Sequence, residues 1–172
     1  MEASYTIIKK DNEYRILLTP VNTEVLPEYI QKVLADRQID ISELMIERIH
    51  GESTTGQDVL HDITGWVAEL FASNPNLIIY YSCDDITPIP SRNKNSDNRD
   101  MPVNAYRSRL FTHIFDTYMV GHQASGVINT PIQLDNYENG VGYSLFFHFI
   151  ARDVHCDIVE MLKEDIVEVS GK

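Results

Sequence analysis

Leu77-Ile78-Ile79-Tyr80-Tyr81-Ser82-Cys83 is a nearly continuous apolar run with polar turns on either side. Branched and aromatic side chains suit a pleated backbone, and an apolar run without alternation reads as a strand covered on both faces. Asn74-Pro75-Asn76 sets it off from the preceding chain, because the residue before a proline is pushed out of the helical region. Upstream, Val59, Leu60, Ile63, Trp66, Val67, Leu70 and Phe71 recur at helical spacing, the clearest helix in the chain. Thr55, with Asp58 three residues on, reads as its capping box. Downstream, Tyr106, Leu110, Phe111, Ile114, Phe115 and Tyr118 mark the apolar side of a second strong helix, from about Asn104 to Met119. These two amphipathic helices are expected to sandwich the strand.

Further out the pattern stays regular. Tyr5–Lys10 and Tyr14–Thr19 read as an N-terminal hairpin turning at Asp11-Asn12-Glu13. Pro27 suits the first turn of a helix that carries Tyr29, Ile30, Val33 and Leu34 to about Ala35. Ile39–Ile49 mixes apolar and charged residues as a half-buried strand does. Val127–Leu134 and Val141–Ala151 read as strands joined near Asn139-Gly140, a strong turn signal. A last helix runs from about Val154 to Val167. The order ββαβαβαββα mixes hairpins with crossovers. It predicts an α+β fold: a single mixed or antiparallel sheet with an N-terminal hairpin, packed by about four helices. A chain of 172 residues fits one domain.

Lys and Arg number 14 against 26 Asp and Glu, a formal net charge of −12. Nucleic-acid affinity comes largely from neutralising phosphates with Lys and Arg, so direct phosphate binding is not expected. The same field opposes docking on an anionic membrane. It leaves open a basic protein partner, a cationic ligand, or solubility alone. The richest apolar run, Leu145 to Ala151, is interrupted by His148 and falls short of the roughly 18 residues of a spanning helix. Cys83 and Cys156 belong to no CxxC or Cys/His spacing, which fits a reducing compartment. No basic stretch followed by an apolar one opens the chain, so no secretory signal is expected and the cytoplasm is the expected location.

Asp84 to Val103 is the longest loop-like stretch, with Pro88, Pro90 and Pro102 in it. Loops of this length are uncommon in compact domains and are mostly functional or disordered. It begins where the buried strand ends, and ligands tend to gather beyond the carboxyl ends of strands in helix-packed sheets. Arg92, Lys94, Arg99, Arg107 and Arg109 place five cations within eighteen residues of an acidic chain. A helix start with guanidinium groups suits an anion. Asp84, Asp85, Arg92, Arg107 and Arg109 are therefore the expected ligand-binding residues. The competing reading is structural: Arg107 and Arg109 pair with Asp84, Asp85, Asp97 and Asp100 and tie down the loop.

Catalytic templates are missing. A nucleophilic Cys83 would need a base such as His61 or His113 beside it, and a cysteine closing an apolar run reads more simply as a small buried hydrophobe. Cys156 sits at a helix start that favours a thiolate, but Asp153 and Asp157 oppose it. His155, Cys156 and Asp157 are consecutive and point apart on a helix. There is no HExxH, phosphate loop, dinucleotide fingerprint or nucleophile elbow. Neither a metal nor a cofactor is expected, and no catalytic residue is assigned.

The helix ending in Phe71-Ala72-Ser73-Asn74-Pro75-Asn76, the strand Ile78-Ile79-Tyr80-Tyr81, Cys83-Asp84, and Arg107-Ser108-Arg109-Leu110-Phe111 together resemble a family of small bacterial proteins of unknown function. The resemblance spans about residues 57–119. In that family the Cys-Asp and Arg-x-Arg-Leu-Phe elements lie closer together, so the residues around Pro88–Asp100 are an insertion here. The resemblance implies no activity and no site residue. The expected role is a non-enzymatic protein-interaction or accessory module of the bacterial cytosol. The alternative is a small enzyme or anionic-ligand-binding domain with its site around Cys83–Asp85 and Arg107/Arg109.

Overall fold

The computed structural model describes residues 1–51, 56–83, 101–118, 126–138 and 141–170. Ten main elements follow in order: β1 (Ala3–Lys9), β2 (Asn12–Pro20), α1 (Glu28–Asp36), β3 (Asp40–His50), α2 (Gln57–Ser73), β4 (Leu77–Cys83), α3 (Val103–Tyr118), β5 (Val127–Glu138), β6 (Val141–Arg152) and α4 (Cys156–Ser170). The strands form one mixed six-stranded sheet in the order β1-β2-β3-β4-β6-β5. The expected α+β class, N-terminal hairpin and four helices are all present.

β1 and β2 form an antiparallel hairpin with Tyr5 opposite Ile16, and β3 also runs antiparallel to β2, with Leu18 opposite Leu44, across the connection that holds α1. The connection through α2 is long enough to let β3 and β4 run parallel, pairing Asp40–Glu43 with Leu77–Tyr80. β6 returns antiparallel on the other side of β4, so β4 lies inside the sheet. The β5–β6 hairpin is longer than its neighbour. β4 pairs with β6 only from Phe146 to Ala151, while the hairpin continues to Glu138 opposite Val141.

Successive side chains of a strand leave on opposite faces. Leu77 and Ile79 enter a core with Val59, Ile63, Val67, Leu70 and Phe71 of α2 and Phe111 and Phe115 of α3. Ile78 enters a second core, with Ile30 and Leu34 of α1, Ile132 and Leu134 of β5, and Ile158, Val159 and Leu162 of α4. The strand is covered twice, as its composition requires. The expected sandwich of β4 between α2 and α3 does not form. Those helices lie on the same face, where Leu77, Ile79 and Tyr81 offer enough apolar width for both, and α1 and α4 cover the other.

Smaller features shift with the same logic. Gly56 occupies the cap position of α2 without a side-chain cap bond, in place of the expected capping box; Thr55 lies outside the described residues. Pro27 stands at the cap of α1, one residue ahead of the helix, and its carbonyl accepts from the amides of Ile30 and Gln31. On α3 the buried face is Asn104, Ser108, Phe111, Ile114 and Phe115, whereas Leu110 is exposed. Arg37, just past α1, donates to both carboxylate oxygens of Asp157 in α4 at 3.0 and 2.6 Å, tying the two helices of that layer at an exposed position.

Ile78→Ala and Ile79→Ala should each lower stability by about 2–5 kcal/mol, since both side chains are fully buried in separate cores. Ile8→Ala, on a side chain 71% exposed, should stay within about 0.5 kcal/mol. Urea unfolding followed by circular dichroism measures both.

Candidate functional site

Asp84, Asp85 and Arg92 lie outside the described residues, as do Lys94, Arg99, Asp97 and Asp100. Arg107 and Arg109 are both on α3, half-buried and exposed respectively, and each interacts with another group. Two residues apart on a helix, they cannot share one direction. Between them is Ser108, which faces the core. Cys83 is a buried free thiol at the end of β4, and Cys156 is exposed at the start of α4. Among the described residues, no three His, Cys, Asp or Glu side chains gather as a metal site would need.

What the fold assembles at this end of β4 is a polar chain inside an apolar layer. His148 of β6 stands opposite Tyr81 of β4 and Pro131 of β5. Its Nε2 is 2.9 Å from the hydroxyl of Ser108, and its Nδ1 is 3.0 Å from the amide oxygen of Asn129 on β5. The rings of Phe111 and Tyr81 cluster with the imidazole, with centroids at 4.9 and 6.0 Å from it, and stack on each other at 4.3 Å. Asn104, one helical turn before Ser108, donates its amide to the carbonyl of Ser144 at 2.7 Å and fastens α3 to the β5–β6 hairpin.

The protonation state follows from partners and burial. Burial lowers the His148 imidazole from 6.5 to about 4, so the ring is neutral at pH 7. The oxygen of Asn129 can only accept, so Nδ1 carries the proton, and Nε2 is left to accept from the Ser108 hydroxyl. Serine-nucleophile hydrolases use the same donor order, in which the histidine takes the hydroxyl proton during attack. Access decides against that chemistry. His148 is 0% exposed and Ser108 is 7% exposed, so no substrate carbonyl reaches the hydroxyl in this conformation. Both ring nitrogens of His148 are satisfied and the Ser108 bond fixes α3 to the sheet, while the buried Nδ2 of Asn129 has no partner among the described residues.

Two open concavities lie elsewhere. One of about 460 Å³, at the far end of β3, is lined by Asp11, Arg48, Ile49, His50 and Gly51. The other, about 220 Å³, lies between β1 and α2 and is lined by Tyr5, His61, Asp62, Gly65, Trp66 and Glu69. In the second, the rings of Tyr5 and Trp66 are nearly parallel, at 14°, with centroids 5.8 Å apart. Lys9 reaches Asp62 at 3.0 Å, and the carboxylate raises the ammonium above its ordinary pKa.

Sequence reasoning went to the charged neighbours Arg107 and Arg109 and passed over Ser108, His148 and Asn129. A signal for two of them was present. Asn104 and Ser108 repeat with Phe111 and Phe115 at four-three-four spacing, which puts polar side chains at core positions. His148 shares its strand face with Phe146 and Ile150. Nothing local marks Asn129 as their partner. Compared with known proteins, the chain matches no family model, no curated sequence and no solved structure.

A pH dependence follows. Unfolded, His148 takes up a proton near pH 6.5; folded, only near pH 4. Its contribution to stability is therefore complete above about pH 6.5 and falls with pH toward 4, by about 1.4 kcal/mol per unit. His148→Gln should remove that slope between pH 6.5 and 5 in urea unfolding. Ser108→Ala should retain the slope but start about 1–3 kcal/mol lower, because Nε2 loses its donor.

Proposed function

We propose that the chain is a non-enzymatic protein-interaction or accessory module of the bacterial cytosol, acting through surface contacts. The observation that carries this reading is the β5–β6 ribbon. Past Phe146 it has no third strand beside it among the described residues, and it holds Tyr137 78% exposed, with Val141 and Tyr143 also exposed. Val141 and Tyr143 share one face of this ribbon and Tyr137 lies on the other, and exposed tyrosine is enriched at interfaces. Meanwhile the best-organised polar constellation, around His148, is closed to substrate. A net charge of −12 favours a basic partner and supports solubility while the partner is absent. No helix among the described residues is long and apolar enough to cross a membrane.

The alternative, an enzyme or anion site around Cys83–Asp85 and Arg107/Arg109, draws its one structural support from the donor order of Ser108, His148 and Asn129. Two measurements separate the readings. Tagged protein recovered from a bacterial cytosol should retain a protein partner at low salt, and Tyr137→Ser with Tyr143→Ser should lose it. A panel of ester and phosphoester substrates should show no turnover. Hydrolysis abolished by Ser108→Ala, or retention unaffected by the ribbon substitutions, would overturn the proposal.

A further inference from the structure

β1 and β5 are the two edges of the sheet. β5 is blunted. Pro131, opposite His148, has no amide to offer an incoming strand. β1 has no such device across Tyr5-Thr6-Ile7-Ile8, a run of β-formers with no proline and no charge before Lys9. An edge of this kind is a template for another strand.

The edge also carries recognition chemistry. Ala3, Tyr5, Ile7 and Lys9 share the face that lies under α2, and a strand added outside β1 would turn its alternate side chains the same way. There it would meet the groove of about 220 Å³. Gly65 leaves the middle of the α2 row open between His61 and Glu69, and the paired rings of Tyr5 and Trp66 form its floor. Asp58, Asp62 and Glu69, spaced by four and seven residues, put three carboxylates along one side of that helix. Lys9 answers Asp62, while Glu69 is in no ion pair among the described residues. The volume holds one side chain or head group and is small for a metabolite. A guanidinium stacks on an aromatic face and forks onto a carboxylate, which is what this groove offers.

We propose that the outer edge of β1 accepts an extended, basic segment of a partner protein as a seventh strand. An arginine or lysine of that segment enters the groove between Tyr5, Trp66 and Glu69. The proposal rests on the reading of the chain as an interaction module and gives that reading a second contact surface, independent of the β5–β6 ribbon.

Trp66 is the one tryptophan in the chain, so its fluorescence reports on the groove directly. The probe is a capped hexapeptide alternating arginine and valine. It should change Trp66 emission saturably and slow amide exchange at Thr6–Ile8. Binding should weaken in about 1 M salt, where charges are screened beyond about 3 Å. Glu69→Gln, at an exposed position that leaves the fold intact, should weaken it about three- to fivefold, the scale of one exposed ion pair. The same peptide N-methylated at alternate residues keeps its charges but cannot complete a strand, and it should not bind. Equal binding by the methylated peptide, by a glutamate-for-arginine peptide or to Glu69→Gln would overturn the proposal. No Trp66 response, with the ribbon-dependent partner still retained, would sink the β1 site and leave the interaction reading standing. Loss of both would sink the two together.

Discussion

Two adjacent isoleucines on β4 must both be hidden from water, and the strand sends them in opposite directions. Ile78 and Ile79 each lose all of their exposed surface, one to the layer of α1 and α4, the other to the layer of α2 and α3. Burying a side chain of this size is worth about 1.5–3 kcal/mol, so neither face of the strand can stay bare. That requirement places β4 inside the sheet and calls for helices on both sides. β3 and β6 then close its two hydrogen-bonding edges. The parallel step from β3 to β4 is a consequence too, since the connection needs the length of α2 to return in the same direction.

On one of these faces the apolar layer is broken by His148. Enclosing an imidazole costs several kcal/mol unless both ring nitrogens find partners. Ser108 and Asn129 supply them from two different elements. The result is positional: an apolar contact tolerates sliding, whereas the Ser108 hydrogen bond defines where α3 sits along β6, and Asn129 holds the same ring from β5. Asn104 repeats the device one turn earlier, against the backbone of Ser144. Stacking of Phe111 on Tyr81 supplies area around these polar points. The helix is thus held by packing and located by polarity.

Elements were legible wherever hydrophobic period and punctuation agreed, as at Asn74-Pro75-Asn76 between α2 and β4. Which face each helix covers was not, because periodicity reports that a helix has an apolar side without naming its partner. α3 illustrates this: Leu110 falls on the expected apolar side and is exposed, while Ser108 and Asn104, not counted with that side, are buried. The candidate site was legible only as a neighbourhood. Ser108 sits between the two arginines singled out from the sequence, but its partner His148 comes from 40 residues away, and Asn129, 19 residues before that histidine, is brought to it by strand pairing. Charge clusters are visible along a chain, whereas a neutral hydrogen-bonded triad exists only after the sheet has closed.

An unblunted edge such as β1 exposes a protein to pairing with its own copies. Here the overall charge bears on that hazard. Two chains meeting edge to edge would each bring a net charge of −12, and the carboxylates of α2 would lie close to the joint. Repulsion of that kind disfavours self-association without touching the backbone template. A segment of opposite charge meets the same field as attraction, and its cations replace the repulsion with contacts to Tyr5, Trp66 and Glu69. Acidity, which says little about function when read as a total, thereby acquires a direction: it selects which strands the open edge accepts.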